Sequence, residues 1–361
     1  MRSLCNPPRL RGFSLVELMV AMALSLVLLG GVLAIFASSK KTYETTDRLS
    51  RIQETGRYAL DSIVRDLRGA GFVGCMQRAT FSSTLNNADT LMWNFQFPVQ
   101  GFDAQSGTWD PPLDTDVAVD ATALTNAGDA LVIRGPRAEF EPLRIVASMA
   151  DTPDDVTIDN TVPGLIEAGD IVQASDCGGR TVFQVTANDA GVLSHGITDP
   201  APTDLAAAPG NSKVDLDYAF TAGTPDGKRG SGEVVAMRSV VYFLRPSTAD
   251  ATVPALWRRV GGADVSEEVA EGVENMQFQF GEDTNGDDIV ATGEYRTADD
   301  VVRWDRVISV RVALLVRSLS AYGTDRDGGT YQVLEQPVAT PNDRHLRQVF
   351  STTVAIRNST T

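Results

Sequence analysis

The chain has 361 residues, 43% of them hydrophobic and 22% charged, which is the composition of a folded protein rather than a disordered one. Its formal net charge of −16 counts against nucleic-acid binding, which needs a basic surface to neutralise phosphates. The length allows one large domain or two of ordinary size.

An apolar run opens the chain over residues 13–37, interrupted only by Glu17 and two serines. Counted to Ser39 it has 27 residues, enough to span a bilayer as a helix that rises about 1.5 Å per residue. It is longer than a signal-peptide core of about 7–15 residues, and no A-x-A cleavage site follows it. We therefore expect the run, residues 13–39, to remain in the mature protein as a transmembrane helix.

Glu17 is costly within such a helix. A charged residue at the bilayer centre costs about 2.5–3.5 kcal/mol on the insertion scale, so an intramembrane acid is a candidate functional residue. The alternative is that Glu17, one turn from the helix start, reaches the membrane interface. The sequence alone leaves both interpretations open.

The segment around Glu17 resembles a known signal. Arg11-Gly12 followed by Phe-Ser-Leu-Val-Glu and an apolar helix is similar to the type III signal of type IV prepilins. The resemblance implies that a prepilin peptidase removes residues 1–12 as a leader, cutting after Gly12, and N-methylates Phe13. It also implies that Glu17, then the fifth residue, pairs with the N-terminal amine of a neighbouring subunit, which would give a buried charge a partner.

Loss of the leader changes the charge and the cysteine count. Residues 1–12 carry three arginines and no acid, so the net charge moves from −16 to −19. Of the three cysteines, Cys5 leaves with the leader. We expect the other two, Cys75 and Cys177, to form a disulfide in an oxidising compartment, the alternative being two unrelated buried thiols.

The helix is predicted to continue beyond the membrane as an amphipathic segment over residues 40–74, because no proline occurs between Pro8 and Pro98. Small or apolar residues recur every three or four positions: Leu49, Ile52, Gly56, Leu60, Ile63 and Leu67. We expect this stripe to pack on a globular head, with a partner helix as the alternative. Three glycines mark the predicted end of the helix: Gly69, Gly71 and Gly74.

From residue 80 onward the pattern changes to short β-type runs. The predicted strands are Leu91–Phe97, Ala130–Arg134, Leu143–Ala147, Ile171–Ala174, Thr181–Thr186, Val234–Leu244, Val273–Phe280, Val307–Val316 and Arg347–Ile356. Residues 186–232 are predicted to be irregular. The predicted fold class is α+β: a long N-terminal helix packed on a large, mainly antiparallel β-sheet head over residues 75–361, with one or two lobes.

Three segments of the chain are similar to the PilW group of type IV pilus minor pilins: residues 53–75, 307–318 and 347–358. This resemblance implies a single-pass protein of the bacterial inner membrane, with a cytoplasmic N-terminus and a periplasmic head. The protein then joins other minor pilins and pilus subunits in a complex that primes or caps the pilus, at its tip. Two alternatives stay open: a type II secretion minor pseudopilin, and an adhesin or ligand-binding module in the unmatched region 76–270.

Residues 281–295 contain the best candidate for a metal site. Asp283, Asn285, Asp287 and Glu294 fall at positions 1, 3, 5 and 12 of an EF-type Ca²⁺ loop, and Ile289 would contribute its carbonyl at position 7. Position 6 is Asp288 where the EF-hand needs glycine, and the flanks look like strands, Met276–Phe280 and Val301–Trp304. We expect a calcium loop between strands, the alternative being an acidic solvated turn.

Candidate catalytic residues are sparse, and we expect no enzymatic activity. The chain has two histidines, His195 and His345, without a neighbouring cysteine or metal-ligand spacing, and no nucleotide-binding or hydrolase motif. The Asp-rich segments, including Asp325 and Asp327, are predicted to be solvated turns.

Overall fold

The computed structural model describes residues 14–72, 80–105, 108–110, 128–137, 141–159, 164–197, 209–223, 232–261, 266–323 and 326–356. One helix, α1 (Leu15–Gly69), covers 55 residues and includes both the predicted membrane segment and the predicted amphipathic segment. It ends where the sequence predicts, because the Ala70 N–H donates to the Leu67 carbonyl and Gly71 takes a φ of +69°.

The described residues of the head form strands joined by turns. The first strands are β1 (Thr80–Ser83), β2 (Val99–Gln105), β3 (Thr108–Asp110), β4 (Ala130–Pro136), β5 (Leu143–Arg144), β6 (Val156–Thr157), β7 (Ile171–Ser175) and β8 (Gly179–Gln184). Next come β9 (Ala187–Asp189), β10 (Val192–Ser194), β11 (Glu233–Pro246), β12 (Pro254–Val260), β13 (Glu267–Glu271) and β14 (Val273–Glu282). The last are β15 (Tyr295–Arg296), β16 (Val307–Arg317), β17 (Thr330–Val333), β18 (Gln336–Ala339) and β19 (Arg347–Ala355).

Over these described residues the strands build one ten-stranded sheet, a four-stranded sheet and two small ones. The large sheet runs β1-β8-β7-β11-β4-β2-β3, with β5, β12 and β13 attached through β11 or β12. The four-stranded sheet has the order β15-β14-β16-β19, so β16 is central. Strands β1 and β8 pair in parallel, whereas the other strand pairs of the described residues are antiparallel.

The main core lies between α1 and the two larger sheets. Strand β11 shows how one sheet separates two cores: Tyr242 and Leu244 face the helix, while Val241 and Phe243 face the opposite cluster around Trp257. Side chains alternate between the faces because the period of a strand is two residues. A third cluster, around Phe183, fills the space behind β7 and β8.

The predicted stripe of α1 packs on this head, as expected. Its buried members are Ile52, Gly56, Leu60, Ile63 and Leu67, while Leu49 lies at the edge of the contact. A Cβ built on Gly56 would lie 2.4 Å from the ring of Phe350 on β19, so only glycine allows this approach. The structure therefore confirms the predicted fold class, with one long N-terminal helix and a large, mostly antiparallel head.

The strand predicted at Leu91–Phe97 is wrong, since the segment forms consecutive turns. Its carbonyls surround the side chain of Arg134, which is only 1% exposed. The Arg134 Nε donates to the Leu91 carbonyl at 3.0 Å and Nη1 donates to the Phe97 carbonyl at 2.9 Å. Burial lowers the pKa of Arg134 to about 9. A buried guanidinium must be hydrogen-bonded. The turns leave backbone carbonyls free to accept these bonds, whereas in a strand the same carbonyls would have bonded to a neighbouring strand.

Other strand predictions differ from the structure in extent. The run predicted over Leu143–Ala147 forms a strand only at Leu143–Arg144, and Ile145 then bridges to Ile158. The irregular region predicted over 186–232 contains the short hairpin β9–β10, although part of that region lies outside the described residues. Strand β12 was not predicted, because it is buried on both faces and lacks a clean alternation.

Candidate functional site

The predicted processing site, Gly12 and Phe13, lies outside the described residues, which begin at Ser14. Ser14 is the N-cap of α1, in extended conformation. Its hydroxyl oxygen accepts a hydrogen bond from the Glu17 N–H at 3.1 Å, and the Ser14 N–H donates to Glu17 Oε2 at 3.0 Å. The two residues therefore form a capping box, which satisfies otherwise unpaired N–H groups at the helix start.

The capping box adds a role for Glu17 that the sequence analysis missed. The signal was present as Ser14-x-x-Glu17, the spacing that defines this motif. It explains why an acid sits in the first turn, where the helix dipole also favours negative charge. The predicted pairing of Glu17 with a neighbouring subunit is untested, and capping alone does not require it.

The first half of α1 is an exposed apolar rod. The large apolar side chains of Leu15 to Phe36 are between 53% and 74% exposed, and none of this stretch touches the described part of the head. By length and composition the helix can cross a membrane, which supports membrane anchoring.

The helix meets the head just beyond this rod. The phenol of Tyr322 donates to the Lys41 carbonyl at 2.6 Å and accepts from Thr45 Oγ1 at 2.8 Å. The guanidinium of Arg48 donates to the Ser320 carbonyl at 3.2 Å and lies 5.2 Å from the centre of the Tyr322 ring. These contacts fix where the rod leaves the head.

A buried carboxylate anchors the other end of the helix. Asp66 is 7% exposed; its Oδ1 accepts from Arg238 Nη2 at 2.8 Å and its Oδ2 accepts from the Tyr242 hydroxyl at 2.7 Å. Arg258 adds a longer ion pair at 3.6 Å. Burial, then the Asp66 carboxylate, raises the pKa of Tyr242. We name these four residues the Asp66 cluster, and they hold α1 against β11 and β12.

A second buried ionic cluster holds the C-terminal strand. The side chain of Arg347 is fully buried, and its Nη2 donates to Glu274 Oε1 at 3.0 Å and to Asp343 Oδ2 at 2.8 Å. Asp327 lies 3.6 Å from the same guanidinium with its side chain 29% exposed, so it is an ion-pair residue as well as a partly solvated one, while Asp325 lies outside the described residues. Burial alone would lower the pKa of Arg347, but the bonds to Asp343 and Glu274 outweigh it and raise that pKa.

The acidic loop begins at the end of β14, as the sequence predicts. The buried Asp283 carboxylate accepts from the N–H groups of Gly286 at 2.7 Å and Asp288 at 3.2 Å. Asp288 has a φ of +59°, so this aspartate takes the left-handed conformation that position 6 needs. The predicted strand Val301–Trp304 is wrong: the return path is the short β15 followed by 3-10 turns at Ala298–Asp300 and Trp304–Arg306.

The proposed calcium ligands are oxygen donors at the loop positions that an EF-type site uses. In the structure, however, they do not converge on a common point. Asn285 and Asp287 bond one another at 3.0 Å, and Ile289 is 64% exposed. Both oxygens of Glu294 are engaged, by Thr284 Oγ1 at 2.7 Å and the Ala291 N–H at 2.8 Å. Within the described ranges no group of three or more acidic, histidine or cysteine side chains could hold a metal ion. Calcium binding stays a prediction that requires Glu294 to swing inward.

The predicted disulfide joins Cys75 and Cys177, and only Cys177 lies within the described residues. Cys177, in the turn between β7 and β8, is disulfide-bonded. Cys75 lies outside the described residues, so its pairing with Cys177 stays a prediction.

The two histidines lie in different surroundings but make the same kind of contact. His195 is 1% exposed, contacts the Phe183 ring and has Nε2 3.0 Å from the Asp154 carbonyl. His345 has Nδ1 2.7 Å from the Ser318 carbonyl. Each is thus held by a backbone carbonyl, as expected for a structural histidine.

Comparison with known proteins identifies similarity at both ends of the chain. Residues 8–33 match the model of the prokaryotic N-terminal methylation motif, and residues 241–358 match the model of PilW, the type IV pilus-assembly protein W. No curated protein matches the chain at a significant level.

Among solved structures, the chain is similar to a type IV-like pilin from Thermus thermophilus. The two share 13% sequence identity with a TM-score of 0.33, over 88% of this chain and 97% of that one. The family models confirm the resemblance that the sequence carries: this is a chain with a prepilin-type methylation motif at its N-terminus whose C-terminal part matches the type IV pilus-assembly protein W family.

Proposed function

We propose that this protein is a minor pilin of the type IV pilus. It is inserted in the inner membrane with a cytoplasmic N-terminus and a periplasmic head, and a prepilin peptidase cuts it between Gly12 and Phe13. It then joins other minor pilins in a complex that primes or caps the filament at its tip. The observation that carries the proposal is the exposed apolar rod, which bears the methylation motif and is fixed to a large folded head.

The rod cannot remain in water. Each fully buried Leu, Val, Ile, Phe or Met side chain contributes about 1.5–3 kcal/mol relative to exposure, and the rod carries many of them uncovered. A bilayer covers them first. In a filament, the rods of neighbouring subunits would cover them instead, so the same surface serves as anchor and as assembly element.

The contacts of α1 with the head are consistent with a helix that serves first as a membrane anchor and then as an assembly element. Up to Phe36 the rod makes no contact with the described part of the head, whereas the Asp66 cluster and the buried stripe bind the second half of the helix firmly. Withdrawal of the rod from the membrane would therefore carry the head along as one unit. This division supports a structural rather than a catalytic role.

The match to a pilus-assembly model supports a pilus subunit over the alternative of a type II secretion pseudopilin. The adhesin alternative concerns region 76–270, much of which precedes the matched residues 241–358. No contact in the described residues favours either alternative enough to propose it.

Glu17 offers the sharpest test of assembly. Glutamine at this position keeps the oxygen that the capping box needs but removes the charge. If Glu17 pairs with the amine of a neighbouring Phe13, Glu17→Gln should reduce the protein in sheared filaments at least tenfold, a change of about 1.4 kcal/mol or more. Its amount in the inner membrane should be unchanged. The measurement is immunoblotting of both fractions, in cells that lack the native copy.

Ser14→Ala is the matched control, because it removes the cap and leaves the charge. We expect it to cost about 1 kcal/mol of helix stability and to leave incorporation near normal. Normal incorporation of Glu17→Gln would contradict the pairing and leave Glu17 as a capping residue.

A further inference from the structure

Strand β19 forms an open edge of the four-stranded sheet. It covers 9 residues, Arg347–Ala355, and pairs with β16 over its whole length without a register shift. The Ile356 N–H, just after the strand, donates to the Ile308 carbonyl at 2.8 Å, so every second residue back from Ile356 bonds to β16. The backbone N–H and C=O groups of the alternate residues therefore point away from the sheet, and no strand of the described residues pairs with them. These alternate residues are Val349, Ser351, Thr353 and Ala355.

The other edge strands in the described part of the head are protected against further pairing, whereas β19 is not. Natural sheets protect their edges with short strands, charges, bulges or prolines. Strand β13 carries three glutamates and lies beside a register shift, and the remaining edge strands have only two to four residues. Strand β19 is the long exception, because the segment from Gln348 to Ile356 contains no charge and no proline. Its sequence, QVFSTTVAI, is rich in the β-branched residues that favour strand pairing.

A groove of about 590 Å³ lies between α1 and β19. Its lining residues in the described chain are Ser50, Gln53, Glu54 and Arg57 of the helix and Gln348 and Phe350 of the strand. Because β16 contributes none of them, the groove lies on the free side of β19. Neighbouring strands lie about 4.8 Å apart, so a strand added to β19 would place alternate side chains in this groove. On the opposite face Ser351, Thr353 and Ala355 are exposed and leave the added strand room.

We propose that the free edge of β19 binds an extended strand of a different pilus subunit, which continues the four-stranded sheet by β-strand addition. The outward N–H and C=O groups alternate as they do in a strand ladder, so the backbone of an extended segment is their complement. Uncharged, β-branched side chains on that segment would match those of β19. That the neighbour is a pilus subunit rests on the proposed function.

A second copy of this chain does not fit the edge. Two β19 strands in a closed pair are antiparallel, and the two-fold axis that relates them is perpendicular to the sheet. Since α1 lies on the face of that sheet, the axis would reverse the helix, and the two rods would point in opposite directions instead of into one membrane. Pairing of β19 with another described edge of a second copy is disfavoured, because those edges are short or charged.

A neighbouring subunit can reach this edge because the groove lies close to the rod. Ser50, at the groove, is about 20 Å along the helix from Phe36, where the rod ends. Two subunits whose rods pack side by side therefore bring their heads together at the level of β19. The strand contact would continue the contact between the rods.

The test is photo-crosslinking of the full-length protein in piliated cells that lack the native copy. A benzophenone amino acid replaces Ser351 in one strain and Thr353 in another, and mass spectrometry maps the linked residues in the inner-membrane and sheared-filament fractions. We expect links to one segment of a different pilus subunit, displaced by two residues between the two strains, because paired strands keep their register. The same amino acid at Thr330, an exposed residue of β17, is the control and should not link to that segment.

Backbone variants test whether the contact is a strand ladder. Thr353→Pro removes an N–H that β16 does not use and places a ring at the free edge, so links from Ser351 should fall about tenfold while the denaturation midpoint stays that of the wild type. Thr330→Pro, which also removes an outward N–H, is the matched control and should keep the links. Thr353→Lys keeps the backbone but charges the edge, and it should also reduce the links, which covers the case that the proline variant does not fold.

The outcomes separate this inference from the proposed function. Links from Ser351 and Thr353 to scattered segments, to β19 of a second copy, or to no protein in either fraction would overturn the strand addition. Links that persist unchanged in both Thr353 variants would overturn it as well. A protein that is absent from the filaments, but shows the two-residue displacement in the membrane fraction, would contradict the proposed function and uphold the strand addition.

Discussion

Replacement of Asp66 by alanine is expected to lower the free energy of unfolding by about 3–5 kcal/mol, because the largely buried Arg238 guanidinium loses the Asp66 carboxylate, whereas Arg258 keeps its ion pair with Glu267. The Tyr242 hydroxyl also loses the acceptor that it reaches at 2.7 Å. Chemical denaturation of the full-length protein in micelles, followed by tryptophan fluorescence, measures the change. Trp257 on the paired strand β12 is buried and should report loss of the packed sheet.

Asp61→Ala is the matched control, since Asp61 is an exposed acid on the same helix. It should change stability by no more than about 0.5 kcal/mol. Joining Asp66→Ala with Arg238→Met should cost less than the two single changes added together, because the uncompensated charge is then gone. Equal effects of Asp66→Ala and Asp61→Ala would contradict the anchoring role of the Asp66 cluster.

Arg347→Leu is expected to have an effect of comparable size, about 3 kcal/mol at neutral pH. The change leaves three carboxylates, on Glu274, Asp327 and Asp343, facing one another without the guanidinium that joins them. The C-terminal strand β19 begins at Arg347 and pairs with the central strand β16. Loss of the Arg347 ion pairs would therefore weaken the pairing of β19 with β16 in the four-stranded sheet. Arg344→Leu, at a neighbouring exposed arginine, should change stability little.

The same cluster predicts a pH dependence. The hydrogen bond from Arg347 lowers the pKa of Asp343 to about 2, whereas the unfolded value is 3.8. The folded state therefore binds fewer protons, and its stabilisation is complete above pH 4 and declines as the pH falls from 4 to 2. For one carboxylate the loss is about 2 kcal/mol.

In Arg347→Leu the sign of this dependence should reverse. Protonation then relieves the repulsion between carboxylates, so the difference in unfolding free energy from the wild type should shrink between pH 7 and pH 2. Denaturation curves at several pH values measure that difference. A difference that stays constant over this range would contradict the ionic origin of the cluster's stability.

The local pattern of apolar residues was sufficient to predict the helix and most strands of the C-terminal half of the chain. The spacing from Ile52 to Leu67 predicts the buried face of α1, and the apolar runs predict β11, β14, β16 and β19. The segment 91–97 shows the limit of this reasoning. The apolar composition of this segment is typical of a strand. The segment forms turns instead, in which its carbonyls accept hydrogen bonds from the buried guanidinium of Arg134, about 40 residues later in the chain.

The functional and structural sites likewise divide into those formed by neighbouring residues, which the sequence can predict, and those formed by distant residues, which it cannot. The capping box of Ser14 and Glu17 is local and could have been read from its spacing. The Asp66 cluster joins residues 172 and 176 positions apart, and Arg347 meets Glu274 across 73 positions. Pairs at such separations depend on the register of the sheets, which no local pattern specifies.

The most direct test of the proposed function is mass spectrometry of the N-terminal tryptic peptide from purified, sheared filaments. We predict a peptide that runs from N-methylated Phe13 to Lys40, since no lysine or arginine lies between them. Its presence in the filament fraction would join processing and assembly in one observation. A peptide that retains residues before Phe13 in peptidase-competent cells, or a processed protein absent from the filaments, would contradict the assignment as a pilus subunit.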